Sequence, residues 1–184
     1  MKTETSIFWR LVARLLVRNG ETTRMAAWLF GRALNNPYSQ LEGYMGRWYV
    51  IQPPKRPEDP GYVAHGWRYW VDQLNILWPF YARLHLILRA DLDRHLHDHP
   101  WWFRSIILTR WYDEETEDDH GRHVHRYWAG DINSKNSGQY HRIATVPDDG
   151  VLTLIIHGHR RKDSWGFKVN GIHVPWRKYL GLDK

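Results

Sequence analysis

From Tyr81 onward the chain is a succession of short apolar runs, each closed by a turn-former, and this punctuation leaves few folds open to it. Runs at Arg47–Gln52, Tyr81–Arg89, Trp102–Tyr112, His123–Trp128, His141–Val146, Val151–His157 and Ser164–Val169 are rich in β-branched and aromatic residues, with "PDDG", "NSKNSG" and "HGHRRKD" as turns between them. Many short strands without intervening helices predict an antiparallel sandwich or barrel. Twelve Trp, ten Tyr and five Phe supply the bulk for a packed interior or an aromatic-lined cavity.

The first 35 residues have a different texture. Ile7, Phe8, Leu11, Val12, Leu15 and Leu16 recur at helical spacing, and Arg10, Arg14 and Arg18 stand four apart, which predicts an amphipathic helix. "NGET" breaks it, and a second helical pattern through Met25, Trp28, Leu29 and Leu34 stops at Asn35-Asn36-Pro37. A helical hairpin over 1–40 ahead of a β domain over 44–180 is the expected organisation, with the proline-rich "IQPPKRPEDPGYV" as an extended loop. The hairpin is expected to pack on the main domain or a partner subunit; a basic helix lying on a membrane or nucleic acid is the sharper alternative.

Six basic residues (Lys2, Arg10, Arg14, Arg18, Arg24, Arg32) against Glu4 and Glu21 give this segment four of the chain's six net positive charges. The β region is therefore close to neutral, which argues against a nucleic-acid face on it. Without cysteine, thiolate metal sites, disulfides and cysteine nucleophiles are excluded, so any metal must use nitrogen and oxygen ligands. The start does not read as a signal peptide and no run reaches the ~18 apolar residues of a membrane span, so a cytoplasmic protein is expected. The acidic "DEETEDD" at 113–119 reads as a solvated loop or strand end, because like charges repel and stay wet.

The chemistry concentrates in "DRHLHDHPWWFRSIIL", Asp93 to Leu108. In extended backbone His95, His97 and His99 share one face, while Leu96 and Asp98 take the other. Two imidazoles at i, i+2 can grip one divalent ion at about 2.0–2.2 Å, with a third ligand from elsewhere. Asp98 reads as a hydrogen-bonding partner within the turn. His123/His125 and His157/His159 repeat the spacing without the proline turn and rank below it. Arg160, Arg161 and Lys162 beside Trp165 and Phe167 read as a basic turn next to a core aromatic pair, or alternatively as a phosphate-and-aromatic pocket.

"HDHPWWFRSIILTRWYDEE", followed by "YHRI" and "TLIIHGHRRKDSWGF", resembles the cupin superfamily, and within it the small HDHPW-containing proteins of bacteria and phages that have no firm functional assignment. The resemblance spans residues 44–180 and implies a cupin-type antiparallel β-barrel, or jelly roll. It implies metal ligands at His97 and His99, matching the family's H-x-H, and at His141, matching its later histidine. The glutamate expected about four residues after the second histidine is replaced by Phe103, and Glu114 is the nearest acid. Such a set resembles the three-histidine thiol dioxygenases and so implies Fe(II), although the same nitrogens also accept Zn, Ni, Mn or Cu.

On this reading Tyr112 and Glu114 orient substrate or a metal-bound water, and Arg104 and Trp165 contact a small-molecule substrate. His95 is a supporting or alternative ligand. A homodimer is the superfamily's habit. Three alternatives stay open: a non-catalytic ligand-binding or interaction cupin, a zinc hydrolase suggested by "HLHDH" though one residue short of that ligand motif, and a metal-free sugar-nucleotide epimerase using a histidine base. Nucleotide-binding signatures are missing from the sequence.

Overall fold

The computed structural model describes residues 6–51, 80–161 and 164–183. The prolines expected to form a loop at 53–60, and Lys162, lie outside the described residues. The N-terminal hairpin comprises α1 (Ile7–Leu16), a ribbon of β1 (Val17–Arg18) and β2 (Glu21–Thr22), and α2 (Arg24–Ala33). Asn19 and Gly20, both at positive φ, turn the ribbon in two residues, as an Asn-Gly hairpin requires. Thr23 then caps α2, its hydroxyl accepting from Ala26 N.

Ten further strands follow. They are β3 (Met45–Ile51), β4 (Tyr81–Ile87), β5 (Phe103–Ile107), β6 (Trp111–Asp118), β7 (Gly121–Trp128), β8 (Ile132–Lys135), β9 (His141–Thr145), β10 (Val151–His157), β11 (Gly166–Val169) and β12 (Ile172–Pro175), and a turn of helix, α3 (Trp176–Tyr179), closes the chain. One antiparallel sheet has the order β3-β4-β10-β5-β8, a second β7-β6-β9, and β11 pairs with β12. His97 bridges the last two groups, pairing antiparallel with His141 of β9 and with Phe167 of β11. The architecture is mainly β and antiparallel, that of a cupin-type jelly roll.

Alternation along the five-stranded sheet sorts its two faces. Ala82, Leu84, Ile106, Leu154 and Ile156 form one core cluster with Ala13 and Leu16 of α1 and Ala26 and Ala33 of α2. The odd-numbered residues of β4, β5 and β10 face the other way, where Ile87, Ile107 and Val151 pack with Tyr112 of β6. The helices thus cover the outside of the sheet, and its inner face is left to line a cavity.

Two expectations need correction, and one strand was not expected. The strand expected over Trp102–Tyr112 is two strands: Arg110 turns at positive φ, and β5 and β6 join different sheets. The acidic segment is solvated only at its strand end, Glu117 to Asp119; the rest lies within β6, where Glu114 and Glu115 are 1 % and 7 % exposed. Repulsion does not expel them because neighbouring strands bring Lys135, Arg122 and Arg142 alongside. The last expected strand, Ser164–Val169, is β11, and it pairs with a strand that was not expected, β12, across an Asn170-Gly171 turn at positive φ that was the available signal.

Gly150 ends the "PDDG" turn at φ +79, and a Cβ there would lie 2.6 Å from the Ile87 carbonyl oxygen. Gly150→Ala is expected to cost about 2–3 kcal/mol, from left-handed strain plus that clash, measured as a lowered denaturant midpoint.

Candidate metal centre

His97, His99 and His141 converge so that one ring nitrogen from each lies within 4.8 Å of the others. Their convergence is built by the backbone. His97 N donates to His141 O at 2.9 Å and His141 N to His97 O at 2.8 Å, so the two residues sit directly opposite with side chains on one face. Leu96 and Asp98, on the other face, are buried. Asp98 Oδ1 accepts from Gly166 N at 2.9 Å, which pins the segment to β11 and makes Asp98 a turn partner rather than a ligand. His99 stands two residues past His97, its ring 5.2 Å from both other rings.

Two carboxylates address the outer sides of this triad. His141 Nδ1 lies 2.8 Å from Glu114 Oε1, and His97 Nδ1 lies 3.8 Å from Asp91 Oδ2. The His141 ring is tilted off the line of a good hydrogen bond, so both of its buried nitrogens remain without an aligned partner. Asp91 is held by Tyr44 OH and by Ile143 N, both donating to it. Glu114 is held by Asn133 Nδ2, donating at 2.6 Å, and by Lys135.

Burial alone would push the Glu114 carboxyl up, but the His141 imidazole and the Lys135 ammonium outweigh it and bring it down to about 2. Burial also lowers His97 to about 4 and places His99 well below the usual imidazole range. These two ligands are neutral at pH 7, with lone pairs free for a cation. Ring nitrogens within 4.8 Å need only small rotations to close on one ion, since two bonds of about 2.0–2.2 Å span up to about 4.4 Å. Orphaned imidazole nitrogens, neutral donors and carboxylates behind them fit a divalent ion.

The triad opens on a cavity of about 400 Å³ between the sheets. Tyr112, Glu114 and Trp165 line it. Phe103, which stands where the family's glutamate was expected, packs edge-on against His99, and Glu114 reaches the triad from β6 instead. Arg104 is not among the lining residues: it lies on the opposite face of β5 and donates to the carbonyls of Phe103 and Lys135. His95 pairs with Tyr179 OH at 2.9 Å, outside the triad. His123 and His125 are exposed on β7, and His159 pairs with Tyr81.

The cavity's other wall holds two residues that sequence reasoning missed and one, His157, that it ranked low. Arg83 and His85, two apart on β4, and His157 on β10 all line it. Arg83 Nε, His85 Nε2 and His157 Nε2 are buried without hydrogen-bond partners among the described residues. The Arg83 guanidinium is framed by Tyr38, Tyr49 and Trp101, and Trp101 also stacks 6.0 Å from His99. Their signal in the sequence was an arginine and a histidine at odd positions of an apolar strand. Without the sheet register it did not show which face was the cavity.

No family model matches this chain, and neither does any curated protein sequence. Solved structures do match. Bacillus subtilis oxalate decarboxylase, in a structure used to assign its Mn(II) centres, aligns with a TM-score of 0.51 at 14 % identity, over 83 % of this chain and 33 % of that one. Another oxalate decarboxylase structure, concerned with an element that modulates proton-coupled electron transfer, aligns with a TM-score of 0.50 at 14 % identity, over 80 % of this chain and 32 % of that one. The fold is cupin-like. This chain spans about a third of those cupin chains, and at this identity the likeness concerns fold alone.

His97→Ala and His141→Ala are each expected to abolish metal retention, read by elemental mass spectrometry against about one equivalent in the parent. Glu114→Gln is expected to weaken affinity about 10–100-fold in chelator competition, because it loosens the group behind His141. Unfolded histidines take up protons near pH 6.5, while His97 and His157 resist until about 4 and His85 until about 3, each lowered chiefly by burial. In that window the unfolded chain binds more protons, so stability is lost as the pH is lowered. Metal-free protein should melt progressively lower from pH 6.5 to pH 4; an unchanged Tm would contradict the buried neutral histidines.

Proposed function

We propose that this chain is a metal-dependent cupin enzyme, a non-haem Fe(II) oxygenase acting on a small organic acid. The observation that carries the reading is the pairing, across one cavity, of three converging imidazoles with an arginine whose buried Nε has no hydrogen-bond partner among the described residues. Ferrous iron held by His97, His99 and His141 would supply open coordination positions for dioxygen chemistry.

The remaining work falls to this chain's own groups. Arg83 offers a charged donor with no carboxylate partner among the described residues, and the aromatic frame fixes its plane. It is suited to a substrate carboxylate, which a guanidinium binds through charge-assisted hydrogen bonds. His157 Nδ1 lies 3.0 Å from Gly158 O, which only accepts, so the proton sits on Nδ1 and Nε2 keeps its lone pair. That nitrogen accepts a hydrogen bond from a hydroxyl, thiol or amine of the same substrate. Tyr112, whose phenol burial keeps protonated, and the Trp165 and Phe167 rings exclude water from the cavity beside the triad. Glu114 positions His141 and is itself fixed by Asn133 and Lys135.

The test is oxygen uptake by protein loaded anaerobically with Fe(II), screened against small hydroxy, thiol and amino acids. Turnover that requires iron and disappears in His141→Ala is expected. Arg83→Gln should raise KM about tenfold or more with kcat changed less, as expected when binding shared by ground and transition states is removed. Metal-loaded protein that binds such acids without turning any over would instead assign the chain as a ligand-binding cupin.

A further inference from the structure

The helical hairpin carries a surface that the metal site does not use. On α1, Ile7, Leu11, Leu15 and Phe8 fall within one sector of about 100° at 3.6 residues per turn, and each is between 53 % and 77 % exposed. The adjoining sector, with Ala13 and Leu16, is the one buried on the five-stranded sheet. Arg10 and Arg14 flank the apolar sector on its other side, both exposed. On α2, Met25 and Trp28 are likewise exposed, between Arg24 and Arg32, and the Arg32 guanidinium lies 5.3 Å from the Trp28 ring centroid. Neither helix contains a single acidic residue.

We propose that the α1–α2 hairpin docks this protein onto an anionic lipid surface. Large apolar side chains beside arginines, on a helix whose remaining face is already packed, match an interfacial helix that sinks its apolar sector to the acyl boundary and keeps its cations among the headgroups. The helix lies on the bilayer and does not cross it, since no helix among the described residues is long and apolar enough to do so. A second copy fits less well. A two-fold contact would bring each arginine cluster against its own copy, with no acid on either helix to neutralise it. Nucleic acid would satisfy the arginines but leave four large apolar side chains in water.

Vesicle co-sedimentation of the full chain tests this. Phosphatidylcholine vesicles with about 30 % phosphatidylserine should retain the protein and pure phosphatidylcholine should not, with release at high salt. Leu11→Glu/Leu15→Glu and Arg10→Glu/Arg14→Glu should each weaken retention about tenfold or more, while the melting temperature and metal content stay at parent values. No retention on the anionic vesicles, or retention unchanged in both variants, overturns the proposal. So does a concentration-dependent dimer in sedimentation velocity that Leu11→Glu/Leu15→Glu dissolves, which would assign the face to a second copy.

Discussion

His97 and His141 exchange both of their backbone hydrogen bonds, and the chemistry of the molecule hangs on that exchange. The segment around His97 is not part of a long strand. It is one extended residue between β9 and β11, tied by His97 to His141, by Asp98 N to Gly166 O and by Lys168 N to Leu96 O. Those bonds join β9 to the β11–β12 hairpin through the metal-ligand segment. They also determine which face the imidazoles take, since a slip of one residue would turn Leu96 and Asp98 toward the cavity and the histidines away.

A ligand pair set by backbone still needs its rings oriented, and this falls to buried carboxylates. Glu114 stands almost wholly out of water, where an unpaired charge would be prohibitive. Lys135 and Asn133 from β8 and His141 from β9 compensate it, so three neighbouring strands meet at one carboxylate. A buried ion pair of this kind contributes little net stability compared with an apolar core. Its value is positional: it holds the acid against His141 while the imidazole's other nitrogen stays free. Asp91, anchored by Tyr44 and Ile143, stands in the corresponding place for His97 at a longer distance.

The two faces of the five-stranded sheet divide the labour. Its even-numbered aliphatic residues meet the helical hairpin in one apolar cluster, which stabilises the sheet from outside. Its odd-numbered positions can then carry Arg83, His85 and His157, polar groups that weaken a core but equip a cavity. The hairpin thus lets the opposite face of the same strands be functional, and its own outer surface stays available for another partner.

Local pattern was enough to read the two helices, most of the strands and the His97/His99 pair, whereas His141 came only from the resemblance to a known family. Each local feature depends on a short-range period or spacing: 3.6 for α1 and α2, two for β4 and β10, and i, i+2 for His97 and His99. Composition alone excluded thiolate ligands. The residues it misjudged are those whose environment comes from distant strands. The acids of β6 looked solvated because the cations that neutralise them lie 7 to 27 positions away, at Arg122, Lys135 and Arg142. Arg104 was read as contacting substrate yet lies behind β5, while Arg83, which drew no reading, lines the cavity. Sequence by itself determined the kinds of side chain and the alternation that puts every second one on a common face; only tertiary structure decided which face met helices and which met the metal site, because strand pairing joins segments that share no local period.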